Sequence, residues 1–113
     1  MPHKFVNLTP HAITIDGIGT LPPSGVVARA YAERVAVPAH HGIRVFQQDL
    51  GRVHELPAPV EGTTYIVSSI VLASLLAHPE QADRAGVDVF APDTGSDAHR
   101  ERGSIVGVRG LVY

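Results

Sequence analysis

The sequence predicts an α+β fold: a mostly antiparallel, strongly bent sheet or open barrel of about seven or eight short strands, with one main helix over about residues 69–77. Three observations point there. The chain carries 9 prolines and 11 glycines in 113 residues, punctuation that suits short strands joined by turns better than a helical bundle. Its apolar runs are short and rich in Val, Ile and Thr, side chains that pack well on a pleated surface. One segment, TTYIVSSIVLASLLAH at 63–78, passes from a β-branched run into an apolar stretch of helical length.

That segment reads as a buried strand followed by a short helix. Ser68 or Ser69 is a suitable N-cap, because a serine hydroxyl accepts from a first-turn amide. Pro79 biases His78 away from helical angles and supplies the stop. Ser69, Ala73 and Ala77 recur at helical spacing, a stripe of small residues expected to lie against the sheet.

From the start, residues 4–8 form a first strand that runs into a turn of Asn7, Leu8, Thr9, Pro10 and His11, where Asn and Thr bond local backbone. Residues 12–15 (AITI) are a second strand closed by Asp16 and Gly17. LPPSG is a stiff connector and turn. Residues 26–32 (VVARAYA) form a third strand with Arg29 and Tyr31 on the face opposite Ala28 and Ala30. Residues 34–37 add a short edge strand ended by Pro38, and His40, His41 and Gly42 make a turn. Residues 43–47 and 52–56 are expected to pair as a hairpin through 48–51, with Gly51 at positive φ. Beyond the helix, residues 79–86 end in a Gly-capped helical turn and 87–91 form another strand. A long polar loop follows at 92–103, then a final strand at 104–113 with bulges or close approaches at Gly107 and Gly110.

The length fits a single domain over residues 1–113. With no cysteine, thiolate catalysis and Cys-bound zinc are excluded. A net charge of −2 and no basic run argue against a nucleic-acid surface. MPHKFVNL has no apolar core of a secretory signal, and the apolar stretch near residue 70 is too short for a bilayer. Seven histidines make no HExxH and no i,i+4 pair, so no metal site and no cofactor is expected.

Several polar groups remain as candidates for a ligand. Asn7, Thr9 and His11 leave one rigid turn. Ser68 and Ser69 stand at a helix N-terminus, where unpaired amides and the helix dipole favour an anion. Asp93, Arg100 and Arg102 lie in the long loop, the arginines suited to phosphate and Asp93 or His99 to a sugar or base. Arg29 beside Tyr31 would hold a phosphate under a stacked base. The run Asp93, Thr94, Gly95, Ser96 and Asp97 matches the active-site motif of retroviral aspartic proteases. Here it follows Pro92 near the C-terminus, and the apolar-apolar-Gly triplet at 105–107 comes too soon to leave room for a flap.

NLTPHAITI, the PPSG turn, TTYIVSSIVLASLL and DVFAPDTG with RERGSIVGVRGL, taken together, resemble a family of short, mostly uncharacterised proteins of phages and bacteria. The resemblance spans nearly the whole chain and implies an accessory or host-interaction role; it carries no catalytic residue. The expectation is a cytoplasmic protein, in the host cytoplasm if phage-encoded. It would bind without catalysis a small anionic, nucleotide-derived ligand, and so sequester a host immune nucleotide signal. One alternative is an enzyme acting on a nucleotide or its glycosidic bond through Asp93, Asp97 or His99. Another is a structural or interaction module, a homo-oligomer through an edge strand such as 104–113.

Overall fold

A computed structural model describes residues 3–113; Met1 and Pro2, and with them the start of the MPHKFVNL segment, lie outside the described residues. In chain order the elements are β1 (Lys4–Asn7), β2 (Ile13–Ile15), β3 (Gly19–Leu21), β4 (Arg29–His40), β5 (Ile43–His54), β6 (Thr63–Ile66), α1 (Ser69–Leu76), α2 (Pro79–Ala82), β7 (Val89–Pro92), β8 (His99–Glu101), β9 (Ser104–Gly107) and β10 (Leu111–Val112). Among the described residues the fold is α+β, mostly strand with two short helices, and the strands do not close into a barrel.

β6 is the centre. Thr64, Tyr65 and Ile66 are buried within it, as expected of a strand covered on both faces. It pairs in parallel with β1 on one side and β7 on the other, and β10 closes the sheet antiparallel to β7. The strands pair mostly antiparallel, as expected, but the central sheet has a parallel core that was not expected, and the barrel alternative does not hold. A strand that leads through a helix to a neighbouring strand is a parallel crossover, and β6, α1 and β7 form one. Antiparallel pairing belongs to the hairpins β2–β3, β4–β5 and β8–β9 and to the β7–β10 edge.

α1 begins at its N-cap Ser68, whose hydroxyl accepts from the Val71 amide at 3.3 Å, and is capped at Ala77. It packs Val71, Leu72 and Leu75 against Tyr65, Val67, Val89 and Ala91 and against Ala28 and Val53, and Ser74 is buried beside them in sequence. The small-residue stripe faces the other way: Ser69, Ala73 and Ala77 are exposed. Burying Val71, Leu72 and Leu75 removes far more apolar area from water than burying two alanines would, and that decides the rotation. A second cluster, Ile15, Ala98 and Val108 with Ile13, Leu21 and Leu111, sits under the small hairpins.

The region 26–56 departs most from the sequence reading. β4 runs unbroken from Arg29 to His40, through Pro38, which lies where the register shifts between Val37 and His40. A bulge is one of the few places a strand tolerates proline. β5 is likewise one strand from Ile43 to His54, with no turn at 48–51. The turn is at His41 (φ 49°) and Gly42 (φ 78°), the paired positive angles of a type I′ hairpin. Gly51 does not adopt positive φ. With Arg52 it opposes Tyr31 in a bulge, and a Cβ at Gly51 would stand 2.7 Å from the Tyr31 carbonyl oxygen.

Candidate active cleft at the strand ends

In open sheets with parallel strands, ligands gather beyond the carboxyl ends of those strands. Here β1, β6 and β7 end side by side, and the segments leaving them meet around a cleft of about 380 Å³. The segment after β1 contributes Thr9 and His11 and continues to Ile13 and Thr14. Ser68 and Ser69 follow β6, and Pro92 and Thr94 stand at the end of β7. The opposite wall is apolar: Ile105, Val106, Gly107 and Val108 of the β9 strand and the residue beyond it. That wall is held by backbone bonds in which Val108 donates to the Thr14 carbonyl and accepts from the Asp16 amide, at 2.9 and 3.0 Å.

The turn after β1 is built by Asn7. Its Oδ1 accepts from the Thr9 amide at 2.9 Å, and its Nδ2 donates to the carbonyls of His11 and Leu21 at 2.8 and 3.0 Å. The Thr9 hydroxyl lies 2.7 Å from Asn7 Oδ1 and 2.9 Å from the His11 carbonyl, both acceptors for its single proton. Asn7 is 2 % exposed and outside the cleft, so it acts as a scaffold for the turn. Thr9 forms part of the wall with its hydroxyl already spent. His11 is the exposed polar side chain that this turn gives the rim.

Across the cleft, Ser68 caps α1, and the amides of Ser69 and Ile70 have no intrahelical acceptor. Asp and Glu are absent from the cleft lining, and so is arginine.

The remaining sequence candidates sit elsewhere. Arg29 lines a separate, more polar cleft with Tyr31, His54 and Glu55, where the Tyr31 and His54 rings are 5.5 Å apart. Arg100 stands in β8, a strand that interrupts the loop expected at 92–103, and its guanidinium is consumed by the carbonyls of Thr94 and Gly95, to which it donates at 3.1 Å. Arg102 occupies the β8–β9 turn with φ 54°, beside Gly103 at φ 82°. Asp93 Oδ1 accepts from the Gly95 amide at 3.1 Å, an Asx turn that leaves Pro92 and Thr94 facing the cleft. His99 pairs with Asp16, Nε2 to Oδ2 at 2.9 Å, across 83 residues of sequence. Asp93, Asp97 and His99 therefore do not form one acid–base constellation in the cleft.

Sequence reasoning missed the apolar wall. Residues 104–113 read as a single strand; the structure splits them, β9 pairing with β8 and β10 joining the central sheet. The overlooked signal was the unalternated run Ile105, Val106 and Val108, which needs cover on two sides. Among the described residues no group of three or more His, Asp or Glu side chains is placed to hold a metal, and no helix is long and apolar enough to cross a membrane. No family model matches the chain, and comparison with curated proteins and with solved structures finds no match.

Proposed function

We propose that the chain binds, without transforming it, a small anionic nucleotide-derived molecule in the cleft beyond β1, β6 and β7. One observation carries the reading. Three parallel strand ends converge on the first turn of α1, opposite an apolar wall, with no carboxylate among the lining residues. A phosphate would sit against the Ser69 and Ile70 amides with the Ser68 and Thr94 hydroxyls beside it, using the partial positive charge of the helix end. The flat, less polar part of the ligand would lie on Ile105 and Val106, which are 43 % and 51 % exposed without it. In this arrangement the backbone, and not Arg29, Arg100 or Arg102, supplies the positive complement. In the phage setting suggested by the sequence resemblance, such capture would withdraw a host immune nucleotide signal.

The test is a thermal-shift panel of nucleotides, cyclic dinucleotides and ADP-ribose derivatives, with matched unphosphorylated nucleosides, followed by chromatography of the recovered ligand. A ligand at a hundred times its dissociation constant adds about 2.7 kcal/mol, a clear rise in melting temperature. The expected result is a shift for a phosphorylated compound, recovered intact. A shift with altered ligand would replace binding by catalysis, and no shift across the panel would overturn the reading.

A further inference from the structure

From Glu33 to Asp49 no residue of the β4–β5 hairpin is buried, so this outer part stands clear of the body. The molecule measures 57 × 38 × 22 Å with a radius of gyration of 16.2 Å, against about 13 Å for a compact chain of this length. A lone two-stranded ribbon is marginal in water and ordinarily needs a third strand or a packing partner. This one also opposes Glu33 directly to Asp49, a like-charge pair that weakens a free hairpin.

The register sorts the arm into two unlike faces. Glu33 and Asp49 share one face with Val35, Val37 and Val45. On the other, Arg34 lies over the Phe46 ring at 4.7 Å, with Ala36 opposite Phe46 and, by alternation from Val45, Arg44 toward the tip. One face thus carries its acidic pair at the body end, with Val35 opposite Gln47 and Val37 opposite Val45 toward the tip, and the other carries Arg34 and Arg44 on either side of Ala36 and Phe46, so the charges of the two faces are opposite in sign. Val35 and Phe46 are 49 % and 45 % exposed.

We infer that the arm stacks on the arms of further copies of this chain, the Glu33/Asp49 face of one copy on the Arg34/Arg44 face of the next. Charge complementarity selects this occupant: the surface each face requires is the reverse face of the same ribbon. It also selects the geometry. A two-fold pair would set acidic face on acidic face or basic on basic, whereas head-to-tail stacking pairs opposite charge and covers both faces of every arm. One ribbon face is small, about 10 Å wide and about 27 Å long, so covering both matters. The inference is independent of the cleft and its ligand.

Sedimentation of the full chain across a concentration series tests it, with two charge-reversed variants. Glu33→Arg/Asp49→Arg makes both faces basic, and Arg34→Glu/Arg44→Glu makes both acidic. The native chain is expected to gain mass above the monomer as concentration rises, each variant alone to stay monomeric, and an equimolar mixture of the two to associate again. Recovery in the mixture also shows that both variants are folded. A native chain that stays monomeric, variants that assemble like the native chain, or a mixture that stays monomeric would each overturn the inference.

Discussion

The central sheet and the β4–β5 arm are both β structure, yet different forces hold their registers. In the sheet, shifting β6 by one residue would carry Tyr65 off the α1 side and expose part of the main core. In the outer arm of a single chain both faces meet water, so its register rests on the type I′ turn at His41 and Gly42 and on cross-strand pairs. A substitution of given size should therefore unfold the body but only loosen the arm.

The largest effect is expected at Arg84, which follows α2 and lies over the Tyr65 ring at 5.8 Å. Its guanidinium donates through Nε and Nη2 to the two carboxylate oxygens of Asp88, at 3.2 and 2.6 Å, and through Nη1 to the Pro57 carbonyl at 2.7 Å. Both side chains are largely buried. Arg84→Ala strands the Asp88 carboxylate and should cost about 3–5 kcal/mol. Differential scanning calorimetry would read this as a fall of well over ten degrees, and replacing both partners by apolar residues should recover much of it. Asn7→Ala follows, at about 2–4 kcal/mol, because the buried Thr9 amide and the carbonyls served by Nδ2 lose their partners together. It should also blunt any ligand-induced thermal shift, since the turn it holds forms one cleft wall.

The strand–helix unit was legible in the sequence because local chemistry and tertiary packing agree there: β-branched residues, then a serine cap, then apolar residues, then Pro79. The cleft was partly legible, since His11, Ser68 and Ser69 already stood at chain-reversal points. The arm was misread because Pro38 and Gly51 resemble breakers, whereas bulges absorb both and keep one long ribbon. Side chains acting across the fold were invisible. Gln81 is an example: its amide donates to the Val53 carbonyl and accepts from the Val53 amide, at 3.0 and 3.1 Å, tying α2 to the arm's base. No local pattern announces a glutamine that imitates a strand.

The arm should respond most to its turn. Gly42→Val forces a β-branched residue to positive φ, a cost on the order of 1–2 kcal/mol borne by the hairpin tip. Hydrogen exchange should quicken at amides of residues 33–48, while β6 and α1 keep their protection and the main melting transition moves by no more than about two degrees. Equal loss of protection in β6 would mean that the arm and body unfold as one unit, and the comparison would fail.

The smallest effect on stability falls at Ser69, a body residue as exposed as the arm and yet part of the cleft. An aspartate there occupies the first turn of α1, where its charge complements the helix dipole by about 0.3–1 kcal/mol. Ser69→Asp should thus leave the free protein unchanged or raise its melting point by a few degrees. The same charge would stand where the proposed ligand places its phosphate, so binding of a phosphorylated compound should fall by at least tenfold in calorimetric titration. Ser69→Ala, which keeps the backbone amide and adds no charge, should bind almost as the native chain does. Lost stability would point to a perturbed helix. Gained stability with undiminished binding would move the phosphate away from this helix end, and with it the electrostatic reason for reading the cleft as an anion site.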